Sequence, residues 1–172
     1  MSALYEYYSK VDGESAFLIG VVSTLSDEKL NVICPPHYAI ETDVFKATEK
    51  TICKVLKQRL YDYANHDEQT INHINRLEFE LKLIQSSPYE FLHTMIGRYG
   101  KQLNSDEKMS VDEFFQEIKF QIGDIKALYN INGGLNEQIK NAISDFYLFI
   151  VLDILFVQYK DYIVMLIFGS DE

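Results

Sequence analysis

Few side chains in this sequence are spaced for chemistry. Cys34 and Cys53 stand 19 residues apart with no CxxC or HxxxH companion, so they lack the spacing of a zinc site. His66 and His73 would share a helix side but are seven residues apart, where helical ligand pairs use three or four, and no metal is expected. Cys34 and His37 are local enough to pair as thiol and imidazole, yet nucleophilic catalysis also needs an orienting third group that no recognised signature supplies. There is no GxSxG elbow, HExxH helix or lysine-bearing phosphate loop, and Gly133 and Gly134 read as a turn. No cofactor is expected.

One spacing does match a reaction. Arg59 is followed, after six residues, by His66 near the end of an expected helix. The pair resembles the R-x(4–6)-H motif of the HEPN ribonucleases, small helical bundles that cleave RNA without metal. The resemblance implies His66 as general acid or base and Arg59 as the cation that stabilises a phosphorane-like state. The polar residue that usually follows the arginine in that family is Leu60 here. An acidic chain is also poorly matched to an RNA groove, which leaves ribonuclease activity as the rival reading.

Carboxylates are the other grouping. Asp106, Glu107, Asp112, Glu113 and Glu117 gather around one helix start, where negative charge is favoured by about 0.3–1 kcal/mol. Glu117, Phe120 and Asp124 fall opposite Phe114 and Ile118, so a large aromatic would stand on an acidic, exposed face. These seven positions, Asp106, Glu107, Asp112, Glu113, Glu117, Phe120 and Asp124, are the expected contact surface for a basic protein. Tyr5, Tyr7 and Tyr8 form a second aromatic cluster, expected to pack onto the domain.

The elements that must carry these residues read mainly as helices. A first is expected near Glu14–Leu25, and Val32, Ile33 and Cys34 before Pro35 form a short strand or an extended connector. Thr42 or Asp43 can cap a helix over 43–64, whose face would hold Phe45, Ile52, Leu56, Leu60 and Tyr63. Ile71, Ile74, Leu77, Leu81 and Ile84 predict a second, antiparallel to it, from about Asp67 to Pro88. Pro88 then opens a short helix that Gly100 ends. Ser110 and Glu113 have capping-box spacing, and Val111, Phe114, Ile118, Ile122, Ile125 and Tyr129 continue that helix's apolar face.

The turn at Asn132, Gly133 and Gly134 leads into a long helix from about Leu135 to Gln158. The apolar stretch Phe146–Phe168 is interrupted by Asp153, Gln158, Lys160 and Asp161, which argues against a membrane span. At 100° per residue Asp145, Asp153 and Lys160 share one sector, as in a central core helix. Residues 162–168 would continue it or form a buried strand.

The resulting fold class is mainly α: one domain over 1–172, a compact bundle of about five to six helices around a central apolar C-terminal helix, with room for one short β element at the C-terminus. Only 11 residues are Gly or Pro, which disfavours a turn-rich β-sandwich. The net charge of −10 disfavours direct nucleic-acid binding, which needs Lys and Arg to neutralise phosphates. Residues 106–172 hold 12 acidic against 5 basic side chains, so the second half supplies most of a field that would attract a basic partner. Residues Met1–Tyr8 have neither a basic nor an unbroken apolar region of a signal peptide, so a cytoplasmic protein with reduced thiols is expected.

In size, acidity, Tyr and Phe content and want of catalytic residues, the chain is similar to the immunity proteins that neutralise bacterial toxins, including those of contact-dependent growth inhibition. That resemblance implies a protein that sits over the active site or substrate groove of a cognate basic nuclease toxin and excludes its DNA or RNA. A phage-encoded inhibitor of a host defence nuclease would need the same surface.

Overall fold

The computed structural model describes residues 13–63, 68, 72, 80–131, 141, 144 and 149–170. Helix α1 (Gly13–Lys29) leads through a 3-10 turn (Asn31–Ile33) into strand β1 (Tyr38–Lys46). A second 3-10 turn (Glu49–Thr51) opens α2 (Ile52–Tyr63), and β2 (Leu81–Leu83), α3 (Pro88–Gly97) and α4 (Ser105–Ile122) follow. The chain closes on β3 (Ala127–Ile131), β4 (Ile150–Gln158) and β5 (Tyr162–Ser170).

The architecture is therefore α/β, and the expected mainly α bundle is wrong. The five strands form one antiparallel sheet in the order β1-β5-β4-β3-β2. The largest correction falls on the C-terminus: of the helix expected from about Leu135 to Gln158, the stretch Ile150–Gln158 is strand β4, which pairs with β5 with Gln158 opposite Ile163, so that 162–168 take the buried-strand alternative; residues 135–140 lie outside the described residues. Lys160 lies in the turn and Asp153 beside a register irregularity, so these two share no helical sector; Asp145 lies outside the described residues. The physical reason is burial on both sides. From Tyr162 to Phe168 every β5 residue is buried, between β1 and β4 and under both faces, so its sequence carries neither a period of two nor of 3.6. Its β-branched Ile163, Val164 and Ile167 lose less side-chain freedom in a strand than in a helix. Gly169 completes the fit, since a Cβ there would fall 2.1 Å from the Phe149 ring.

Two further expectations move. Thr42 and Asp43 do not cap a helix; they lie within β1, paired with Leu166 and Met165, and both are buried. The helix begins only at Ile52, after a capping box between Thr48 and Thr51, and Phe45 belongs to the strand while Ile52 and Leu56 keep the helical four-residue spacing. Leu81 likewise sits in β2 opposite Ile131 and not in a helix running to Pro88. The Val32–Cys34 segment is a 3-10 turn with an extended Cys34. Near the other boundaries the reading stands: α1 spans the region expected, and Pro88 opens α3 behind the Ser87 cap.

The sheet separates two apolar clusters. On one face Leu18, Ile19 and Val22 of α1, Leu92, Met95 and Ile96 of α3, and Val111, Phe114 and Ile118 of α4 pack on Ile40, Val44, Leu155, Val164, Leu166 and Phe168. On the other, Ile52 and Leu56 of α2 meet Phe45, Phe156, Ile163, Met165 and Ile167. Alternation along β1 and β4 assigns successive residues to opposite clusters, as the strand period requires. The two flanking layers leave α1 and α4 side by side on the outside of the first face. They carry the candidate site.

Candidate acidic partner-binding face

Helix α4 starts five residues before the expected cap. Its N-cap is Asn104, whose Oδ1 accepts from the Glu107 amide at 2.9 Å while the Asn104 amide donates to Glu107 Oε1 at 3.1 Å. Ser110 and Glu113, spaced like a capping box, instead tie the helix to α1: Ser110 Oγ donates to the Lys29 carbonyl at 2.6 Å, and Lys29 Nζ donates to Glu113 at 2.5 Å. The hydrogen bond and charge of Glu113 raise the pKa of Lys29. The helix ends at Ile122, with Gly123 at φ 91° bending the chain away, so Tyr129 belongs to β3 and not to the helical face.

With Val111, Phe114 and Ile118 turned to the core, helical geometry points Met109, Gln116 and Phe120 outward. Phe120 is 84% exposed and Met109 57%. The seven expected contact residues do lie on and beside this helix, but they divide into different environments. Glu107 is held by Lys101 at 2.7 Å, and its carboxyl is kept below the usual range by that lysine and by the Asn104 amide. Glu113 is occupied by Lys29, and Asp124 pairs with Lys119 at 3.2 Å. Asp106, Asp112 and Glu117 are exposed and make no ion pair among the described residues.

The two flanks of α4 differ. Toward α3, Asp112 and Asp124 share a groove with Lys108, Lys119, Phe115 and Ile125, so charges of both signs are interleaved; Lys108 Nζ also stands 5.0 Å over the Tyr89 ring. Toward α1, Glu117 and Gln121 face Ala16, Phe17, Gly20, Val21, Thr24 and Leu25 across a groove of about 540 Å³. No basic side chain among the described residues lines it. Phe17 is 62% exposed on its bank.

Sequence reasoning missed Phe17 and its neighbours. A signal was present: α1 has no charged residue from Ser15 to Ser26, and a helix apolar on every side implies cover on every side.

Burial pushes the Cys34 thiol up to about 12, and its Sγ donates to the Leu30 carbonyl at 3.4 Å, so at neutral pH it is a protonated thiol and a poor nucleophile. The Cys53 thiol is also pushed up by burial. No group of three His, Cys, Asp or Glu among the described residues is placed to hold a metal ion. Arg59 lies in α2, while His66 and His73, Tyr5, Tyr7 and Tyr8, Ile71, Ile74 and Leu77, and the Asn132–Gly134 turn lie outside the described residues. The sheet-based fold is not the helical bundle that the HEPN resemblance implies. Among the described residues no helix is long and apolar enough to cross a membrane.

No protein-family model, no curated protein and no solved structure matches this chain. The functional reading therefore rests on the surface itself.

Proposed function

We propose that this chain is a cytoplasmic inhibitor of the immunity-protein type, which captures a basic nuclease toxin and covers the groove that takes its DNA or RNA. The observation that carries the reading is Phe120, 84% exposed on α4 with carboxylates at Glu113, Glu117 and Asp124 around it. Large aromatics in such settings are interface anchors, and leaving one in water inside a monomer has no folding benefit. The net charge of −10 supplies the complementary field, which accelerates capture of a cationic partner and falls off with salt.

The test is pulldown and protection with the basic toxin encoded beside this chain, at low and high salt. Stoichiometric complex formation, loss of nuclease activity and survival of toxin-producing cells are expected. The reading fails if the chain neither binds nor inhibits that toxin. It fails also if Phe120→Ala together with Glu117→Lys leaves inhibition intact.

A further inference from the structure

The groove between α1 and α4 identifies the form of the partner. Its α1 bank carries Ala16, Phe17, Gly20, Val21, Thr24 and Leu25, of which Val21 and Leu25 are half-buried and the others exposed, and its α4 bank carries Glu117 and Gln121. Ala16, Gly20 and Thr24 recur every four residues, so they form one row on the helix surface and leave it shallow.

Gly20 is the telling position. A glycine inside a helix is unfavourable relative to alanine, and it persists where close packing demands it. Here no described atom lies within 4 Å of a Cβ built on Gly20. The missing side chain accommodates nothing among the described residues, and Gly20 is exposed on the lining of the groove.

We propose that the α1–α4 groove receives a cationic amphipathic helix of the partner, its apolar stripe seated over Gly20 between Phe17 and Glu117 and its Lys or Arg side chains turned toward Glu117. This rests on the reading of the chain as a binder of a basic protein and adds the recognition element. A second helix laid against a shallow row of small residues can approach closely, which is the geometry that interdigitated helix faces use. The uncharged stretch from Ala16 to Thr24 runs roughly 12 Å, enough for two turns of such a stripe.

Charge decides between occupants. Glu117 lines the groove and Glu28 stands near the C-terminal end of α1, while Glu14 at its start is paired with Lys46 at 3.6 Å and Lys29 is already held by Glu113. A second copy of this chain would bring these carboxylates against their own images, at a net charge of −10 on each protomer. An anionic lipid surface would be repelled for the same reason. A helix with Lys and Arg flanking its apolar stripe meets both the shape and the charge.

The test uses the full chain and two synthetic helices of the same leucine pattern, one with lysine and one with glutamate at every polar position, read by fluorescence anisotropy. The leucine–lysine helix is expected to bind saturably and the leucine–glutamate helix not at all. Gly20→Leu fills the groove, and Phe17→Asp removes the bank while adding repulsion; each should weaken binding at least about tenfold with unchanged circular dichroism. Glu117→Lys should weaken it and flatten its salt dependence, whereas Lys108→Ala on the opposite flank should leave it unchanged.

Undiminished binding by Gly20→Leu overturns the proposal, as does absence of saturable binding. So does a dimer of the free chain that Phe17→Ser dissolves, since that assigns the face to a second copy. The two readings fail separately. Toxin capture that ignores Gly20→Leu and Phe17→Asp removes the helix-groove proposal alone, and groove binding without toxin inhibition removes the proposed function alone.

Discussion

Phe168 and Phe120 are the same side chain in opposite situations. Phe168, in β5, is fully buried and stacks on Tyr38 at 5.5 Å with Tyr99 at 5.3 Å. Phe120, in α4, is 84% exposed. Strand β5 is buried throughout from Tyr162 to Phe168, whereas the α1–α4 surface presents Phe17, Met109 and Phe120 exposed among the described residues. Apolar area buried in the monomer is stability; apolar area left at the surface is capacity for binding. The comparison separates residues that hold this chain together from residues kept for something else.

Urea denaturation of paired variants is the strongest way to break that contrast. Phe168→Ala should destabilise by about 3–5 kcal/mol, because it removes a buried ring and leaves a cavity at the sheet centre. Phe120→Ala should move stability by no more than about 0.5 kcal/mol. Comparable losses would mean that Phe120 is a folding residue and would empty the contrast of meaning.

Asp153 supplies the next effect. It accepts from Arg98 at 3.2 Å, from Asn130 at 3.0 Å and from the Ile154 amide at 2.9 Å, beside the register irregularity of β4. Asp153→Ala leaves those donors without an acceptor and should cost about 1–3 kcal/mol. Arg98→Ala, at a well-exposed partner, should cost no more than about 1 kcal/mol. The reverse order would place the anchoring role on the arginine.

The two outer helices should respond with opposite signs. Asn104→Ala removes the α4 cap and should destabilise by about 1 kcal/mol. Gly20→Ala in α1 should stabilise by about 0.5–1 kcal/mol, since the added Cβ meets no described atom. A destabilised Gly20→Ala would show that the glycine serves this chain's own packing. It would also weaken the case that the groove awaits a partner helix.

The smallest expected effect is in pH. The Glu107 carboxyl is held below its ordinary value by Lys101 and the Asn104 amide, so folding gains from its ionised form. That contribution is present above the unfolded carboxyl pKa of about 4.3 and is lost as pH falls through the lower folded value. Lys101→Met should therefore lower the neutral plateau slightly and make the loss of stability below about pH 4 shallower by the same amount, so that the two proteins converge once Glu107 is protonated. An acid limb identical to the parent's would remove Glu107 from the account.

Local patterns were legible wherever one face of an element is buried. Val111, Phe114 and Ile118 gave α4 its inward stripe, Pro88 marked the start of α3, and the acids around residues 106–117 marked its charged surface. The cap of α4 was misplaced because two boxes with the same spacing compete, Asn104 with Glu107 and Ser110 with Glu113, and only the first lies at the true start. The face on α1 went unread because its sign is an absence of charge over twelve residues, which looks in sequence like any buried helix.

By itself, then, the amino-acid sequence determined the charge, the one-sided helices and the grouping of acids on and beside α4. Tertiary structure decided the sheet. The β1 pairing of Ala39 with Gly169 joins residues far apart along the chain, and no local period reports a partner at that distance. Burial of β5 on both faces erased the alternation that would have revealed it as a strand. Tertiary structure also decided which aromatics stay outside, because exposure of Phe17 and Phe120 follows from where α1 and α4 come to rest, and nothing in their own segments distinguishes them from the core.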